Sequence, residues 1–156
     1  MNFEHLIAIN DPNNPLVLPL SRQQIWQGLL HRVDNPRPFL PGLESCTLLE
    51  RSATMLKRRL VFGPAVIEDH VTLVDQHAVC FAIQPSEQHA GGSLTITIEE
   101  PASQHFFLRF AYVTTLGVQA NSEDAAYIDY VKSAYQQSDL DCVRLIRTLA
   151  ADGELQ

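Results

Sequence analysis

The chain is poor in what a nucleic-acid-binding, metal-binding, disulfide-held or membrane-spanning protein needs. Lysine and arginine are scarce, 11 against 18 aspartates and glutamates, for a formal net charge of -7. That balance argues against a nucleic-acid or anionic-membrane partner, since both require a basic patch. No apolar run approaches the roughly 20 residues of a membrane span, so membrane insertion is not expected. Cysteine is limited to Cys46, Cys80 and Cys142, odd in number and far apart. They read as reduced, mostly buried thiols of a cytoplasmic protein rather than a disulfide framework. The six histidines include no close pair at metal-ligand spacing, so no metal or other cofactor is expected. No nucleophile constellation surrounds Ser21 or the cysteines, and no catalytic residue can be assigned. Around Glu4 and His5 there is neither a basic region nor an apolar run, so no secretory signal is expected.

What is present fits an ordinary globular chain. With 156 residues, 46% hydrophobic and 19% charged, residues 1–156 are expected to form one domain. The stretch Asn121–Asp152 reads as one long C-terminal helix of about thirty residues, roughly 45 Å. Asn121, Ser122, Glu123 and Asp124 supply its N-cap and early negative charge. Ile128, Val131, Tyr135, Cys142, Ile146 and Leu149 form its apolar stripe. A gap at Gln136–Asp139 leaves a kink or break open, and Gly153 stands at the C-terminal cap. Phe3–Ile9 alternates as a strand and ends in turn residues Asn10–Pro15. Ser21 with Gln24 forms a capping box, and Ile25, Trp26, Leu29 and Leu30 form the buried face of the helix it opens. Asp34, Asn35 and Pro36 stop that helix, and Pro38, Pro41 and Gly42 leave room for one or two further turns. From Cys46 to Val118 the pattern is strands and short turns. The class is therefore α+β, with an antiparallel sheet because the connections are too short for crossovers.

The hairpin at Gly63-Pro64 sets the register. Taken as a two-residue loop, it pairs Phe62 with Ala65, Leu60 with Ile67, Arg58 with Asp69 and Leu56 with Val71. One face then carries Leu56, Arg58, Leu60, Phe62, Ile67, Asp69, Val71 and Leu73, and a slip of one residue would mix both faces. Leu94, Ile96 and Ile98 continue the apolar face, as do Phe106, Leu108, Phe110 and Tyr112. His77–Ile83 is apolar on both sides, and Val79, Phe81 and Ile83 are taken as inward. Gln84–Gly92 reads as a mobile loop on composition.

Several segments together resemble a known family. They are Ile9-Asn10, the run Leu20 to Leu29 with Trp26, Phe39-Leu40-Pro41, Arg58 to Gly63, Leu145-Ile146-Arg147 and Gly153-Glu154-Leu155. They are similar to the AtaL-like family, long catalogued as a domain of unknown function within the START-like (SRPBCC) superfamily. That superfamily also holds the birch-pollen allergen, lipid-transfer domains and aromatase/cyclases. The resemblance runs nearly end to end. It implies a helix-grip fold: a curved antiparallel sheet of about seven strands wrapped around the long C-terminal helix, with two short helices after the first strand and a cavity between sheet and helix. It implies no particular reaction. The plant allergens carry a glycine-rich loop between the second and third strands, whereas this chain has Arg51-Ser52-Ala53-Thr54 there. A phosphate-binding reading loses its support with that glycine.

The expected cavity lining is Leu56, Arg58, Leu60, Phe62, Asp69, Val71, Phe81, Ile83, Ile96, Leu108, Phe110, Tyr112, Ile128, Val131 and Tyr135. Arg58 opposite Asp69 reads either as an anchor for a polar group of a ligand or as a structural cross-strand pair. His5 shares the inward parity of Ile7 and Ile9, but the sequence names no partner that would make it a base. Tyr112, Tyr127, Tyr130 and Tyr135 offer hydroxyls. Three functions fit: a binder of a small hydrophobic or aromatic ligand, lipid-like or polyketide-like; a cyclase or aromatase working in the same cavity; and an interaction module with a filled core. The sequence leaves the ligand, the reaction and the oligomeric state open.

Overall fold

The computed structural model describes residues 2–87, 90–114 and 122–155, without the side chains of residues 122–125. Seven strands and two α-helices follow one another: β1 (Asn2–Ala8), α1 (Arg22–Asp34), β2 (Ser45–Arg51), β3 (Met55–Phe62), β4 (Ala65–Val74), β5 (Ala78–Ile83), β6 (Gly92–Ala102), β7 (His105–Thr114) and α2 (Ser122–Ala151). The strands form one antiparallel sheet in the order β1-β7-β6-β5-β4-β3-β2. Register shifts at Leu48/Glu50 and Glu99/Ala102 interrupt the ladders, and such irregularities bend and twist a strand. The architecture is the helix-grip fold expected from the sequence. Of the two short helices, the second is a single 3-10 turn at Arg37–Phe39.

The hairpin register is the one the sequence dictates. Phe62 faces Ala65, Leu60 faces Ile67, Arg58 faces Asp69 and Leu56 faces Val71. Gly63 opens the loop at φ +58, a conformation in which a Cβ would be strained. Val79 and Phe81 are buried, which settles the parity of β5. The capping box on α1 is complete: Ser21 Oγ accepts from the Gln24 amide at 3.1 Å, and Gln24 Oε1 accepts from the Ser21 amide at 2.9 Å.

Two sequence expectations change. Cys46 is exposed while Cys142 is buried, because β2 is an edge strand paired only with β3. The gap in the α2 stripe is not a break: α2 is one helix of 30 residues. Asp139, four residues after Tyr135 and three before Cys142, carries the stripe through the gap and is fully buried. The N-cap candidates Asn121 to Asp124 lie outside the described residues or side chains, as do Gln88 and His89 of the loop before β6 and residues 115–118 of the expected strand region.

The core lies under the C-terminal half of α2. Ile25, Trp26 and Leu29 of α1 meet Cys142, Val143 and Ile146 of α2 above Leu56, Val71, Val79, Ile96, Leu108 and Phe110 of the sheet. The helices approach closely at Gly28, where a Cβ would come within 2.6 Å of Ile146 Cγ2. Ile146 is fully buried, so any shift it makes is taken up by the packed core around it. Gly28→Ala is therefore expected to lower stability by about 1–2 kcal/mol, the overpacking outweighing the gain in helix propensity. Combined with Ile146→Ala, the new methyl would instead fill space, so the double variant should cost less than the sum of the singles in urea denaturation. Strict additivity would place the helix contact elsewhere.

Candidate functional site

Under the N-terminal half of α2 the sheet and helix do not close. α1 supports only the other half of the helix, so a cavity of about 410 Å³ remains, within the range typical of small-molecule sites. Its apolar wall comes from Leu60 and Phe62 of β3, Ile67 of β4, Phe81 and Ile83 of β5, Leu94 of β6 and Val131 of α2. Leu40, Gly91, Gly92, Val113, Thr114 and Tyr127 also border it. The proline- and glycine-bearing stretch after α1, through Leu40, and the loop before β6, through Gly91, thus contribute to its rim.

Of the expected lining, Arg58, Leu60, Phe62, Asp69, Phe81, Ile83, Tyr112, Val131 and Tyr135 border the cavity. Leu56, Val71, Ile96, Leu108 and Phe110 point the same way but are packed into the core cluster, and Ile128 is buried beside it. Parity gives the direction of a side chain. Whether it meets a packed helix or open space depends on how α2 lies across the sheet.

Two arginines and an aspartate are among the groups on the cavity wall. Arg58 is almost entirely engaged with protein. Its Nε donates to Asp69 Oδ1 at 2.9 Å, its Nη2 to Asp69 Oδ2 at 2.6 Å and its Nη1 to the Val33 carbonyl at 2.8 Å. Both oxygens of Asp69 are thereby satisfied, so this bidentate pair ties β3 to β4 and to the end of α1. Arg32, in the last turn of α1, borders the same cavity. Both guanidiniums lie 5.4 Å from the centre of the Phe81 ring. Nη1 of Arg32 is buried and has no hydrogen-bond partner among the described residues.

Asp139 is the second residue that hydrophobic periodicity misses. Tyr112 Oη donates to its Oδ1 at 2.5 Å, while Oδ2 is buried with no partner among the described residues. Burial raises its pKa to about 7, against the opposing effects of the Tyr112 hydrogen bond and the Arg32 charge. Burial and then the neighbouring carboxylate push the Tyr112 phenol well above its ordinary range, so Tyr112 stays protonated. Tyr135 stacks on Tyr112 at 4.4 Å, and Tyr112 in turn on Phe3 at 5.0 Å, walling off the β1 side. His5 sits beyond this wall, edge-on to Phe3 and Tyr112. Burial and then the Lys132 charge lower its pKa, and it does not border the cavity. Tyr130 points to solvent. Among the described residues, no group of three or more potential ligands could hold a metal ion, and no helix is long and apolar enough to cross a membrane.

The missed residues did leave a signal. Arg32 lies three positions after Leu29 and beside buried Val33, on the apolar face of α1. Asp139 lies on the apolar face of α2. A charged residue in register with an apolar stripe is either paired, at a site, or both.

The fold has solved counterparts. The Zhui aromatase/cyclase from Streptomyces sp. R1128 aligns over 96% of this chain and 95% of its own, with a TM-score of 0.67 and 14% identity. The di-domain ARO/CYC StfQ from the steffimycin biosynthetic pathway aligns over 98% of this chain and 52% of its own, with a TM-score of 0.66 and 12% identity. Ara h 8.0201 aligns over 95% and 98%, with a TM-score of 0.59 and 12% identity. At these identities the likeness establishes the fold. No curated protein matches the sequence. A family model described as acetylaranotin biosynthesis cluster protein L matches residues 7–153, and the chain belongs to that family, the AtaL family.

Proposed function

We propose that the protein binds one small, largely apolar or aromatic molecule between the sheet and the N-terminal half of α2. The observation that carries this reading is the cavity of about 410 Å³, walled mainly by apolar side chains with a few polar and charged groups among them. An interaction module with a filled core would have no reason to keep such a space, since protein interiors are close-packed. Aromatase/cyclases among the structural neighbours fit a polyketide-like occupant, and the ligand-binding reading does not depend on them. The test is native mass spectrometry of the protein purified from its own host, beside an Ile83→Trp variant that fills the cavity from its wall. The expected result is a bound small molecule on the native chain, lost in the variant without loss of folding. A native chain with no adduct, and no rise in Tm with any of a panel of aromatic acids, aromatic ketones and fatty acids, would overturn it.

A second reading, a cyclase-type enzyme, is favoured by the Tyr112–Asp139 pair. Tyr112 borders the cavity as a protonated donor, and behind it stands a carboxyl group whose pKa of about 7 suits proton exchange. With Asp139 protonated and donating to Tyr112 Oη, the Tyr112 proton is free for a carbonyl held against it, which would be polarised there. In that case Tyr112→Phe should retain ligand binding and lose turnover of a poly-β-ketone analogue. Equal turnover by the variant would remove this pair from the chemistry.

A further inference from the structure

We infer that the cavity takes an anionic ligand, a small apolar or aromatic acid whose negatively charged oxygen docks on Nη1 of Arg32. The inference rests on the binding reading above and narrows it to a chemical class.

Among the described residues, the charged groups that border the cavity are Arg32, Arg58 and Asp69. Asp69 is consumed by Arg58, with both of its oxygens bonded to that guanidinium at 2.9 and 2.6 Å. One positive charge is left over on the wall, and it is that of Arg32. Arg32 is only 6% exposed, and no carboxylate pairs with it among the described residues. Its contacts are the face of Phe81 and the thiol of Cys142, whose pKa its charge and hydrogen bond hold down against burial. Neither neutralises a cation. Asp139 feels the Arg32 charge but forms no ion pair with it, and burial keeps much of it protonated near neutrality.

A buried, unpaired guanidinium is costly, and such charges persist when something compensates them. A water molecule would satisfy the free N–H and leave the charge uncompensated. An anion does both, and arginine is the side chain suited to carboxylate oxygens. The apolar wall beyond Arg32 then fits the remainder of the ligand. Arg58, which the sequence offers either as an anchor or as a structural partner of Asp69, is occupied by Asp69 and the Val33 carbonyl. The polar contact passes to the arginine without a partner.

Two fluorescent probes of one skeleton test this: 8-anilinonaphthalene-1-sulfonate, an anion, and N-phenyl-1-naphthylamine, its uncharged parent. In the native chain the anion should bind about tenfold or more tightly than the parent, as expected for one charge-assisted contact. Arg32→Met should remove that preference and leave the neutral probe's affinity unchanged. If both probes bind the native chain equally well, or the neutral one better, the inference is overturned while the binding reading stands. The same follows if Arg32→Met retains the preference. If neither probe binds the native chain, the inference is overturned, while the binding reading stands or falls on the adduct and the thermal panel. Should Arg32→Met fail to fold, Arg32→Gln replaces it, and the native preference alone can overturn the inference.

Discussion

Arg58→Leu is expected to cost the fold about 3–5 kcal/mol, because it strands a buried carboxylate. Asp69 is 4% exposed and both of its oxygens bond to Arg58, so no other described donor takes over. The same change orphans the Val33 carbonyl at the end of α1. The double variant Arg58→Leu with Asp69→Leu should recover much of the loss, since two apolar side chains facing each other leave only the Val33 carbonyl unmet. Asp69→Leu alone should fall between, leaving a second unpaired guanidinium beside that of Arg32. Urea denaturation of the three variants measures this directly. A double variant as unstable as Arg58→Leu would show that the charge pair itself, rather than the avoidance of an orphan, holds β3 to β4. Ligand affinity then separates the two roles read from the sequence. If Arg32 is the anchor, the folded double variant still discriminates the anionic probe from the neutral one.

The pair at the centre of that prediction is legible in the amino-acid sequence, and the reason is local. A two-residue loop at Gly63-Pro64 and a side-chain period of two determine which residues face each other, so one turn positions Leu56 to Leu73. The capping box at Ser21 and Gln24 and the long C-terminal helix are legible for the same reason. Their signals lie within a few residues of each other. What the sequence does not reveal is how α2 crosses the sheet. That crossing makes Leu60 a wall and Leu56 core, although both share one strand and one face. Arg32 and Asp139 escape the sequence for a second reason. Arg32 in the last turn of α1 looks like a cation complementing a helix dipole, and Asp139 looks like an interruption in a stripe. Only when α1 and α2 are brought onto the same face of the sheet do these residues meet Tyr112, Phe81 and one another's fields.

The helix-grip arrangement accounts for why the charges collect where they do. The core is completed where α1 underpins α2 at Gly28 and Ile146. Beyond the last turn of α1 that support ends, and Arg32 and the Val33 carbonyl are the last groups it presents to the interior. A helix C-terminus favours positive charge, so the boundary between filled core and open cavity is naturally lined by arginines. Arg58 meets this boundary from the sheet side and is neutralised by its cross-strand neighbour. Arg32 meets it from the helix side, where the acidic residue of α1, Asp34, pairs with Arg51 instead. The asymmetry between a paired and an unpaired arginine is thus a consequence of topology.

The pH dependence of stability should carry the mark of Asp139. Its pKa in the fold is about 7, against about 4 in an unfolded chain. The folded state therefore holds the proton more tightly between these values, and stability falls as pH rises from about 4 to about 7. This contribution is fully present below the lower value and gone above the upper one. With a shift of about three units, it amounts to on the order of 4 kcal/mol across the window. Glu99, whose pKa the Arg109 hydrogen bond lowers, acts in the opposite sense at the acid end, so the native curve alone does not isolate the effect. Asp139→Asn does. It keeps an oxygen for the Tyr112 hydroxyl and removes the titration, so the variant should gain on the native chain steadily between pH 4.5 and 7 and hold a constant difference above pH 8. Urea denaturation at closely spaced pH values is the measurement. Parallel curves for the two proteins would mean that the Asp139 carboxyl titrates alike folded and unfolded, and that the buried Tyr112–Asp139 pair lacks the proton-exchanging character assigned to it.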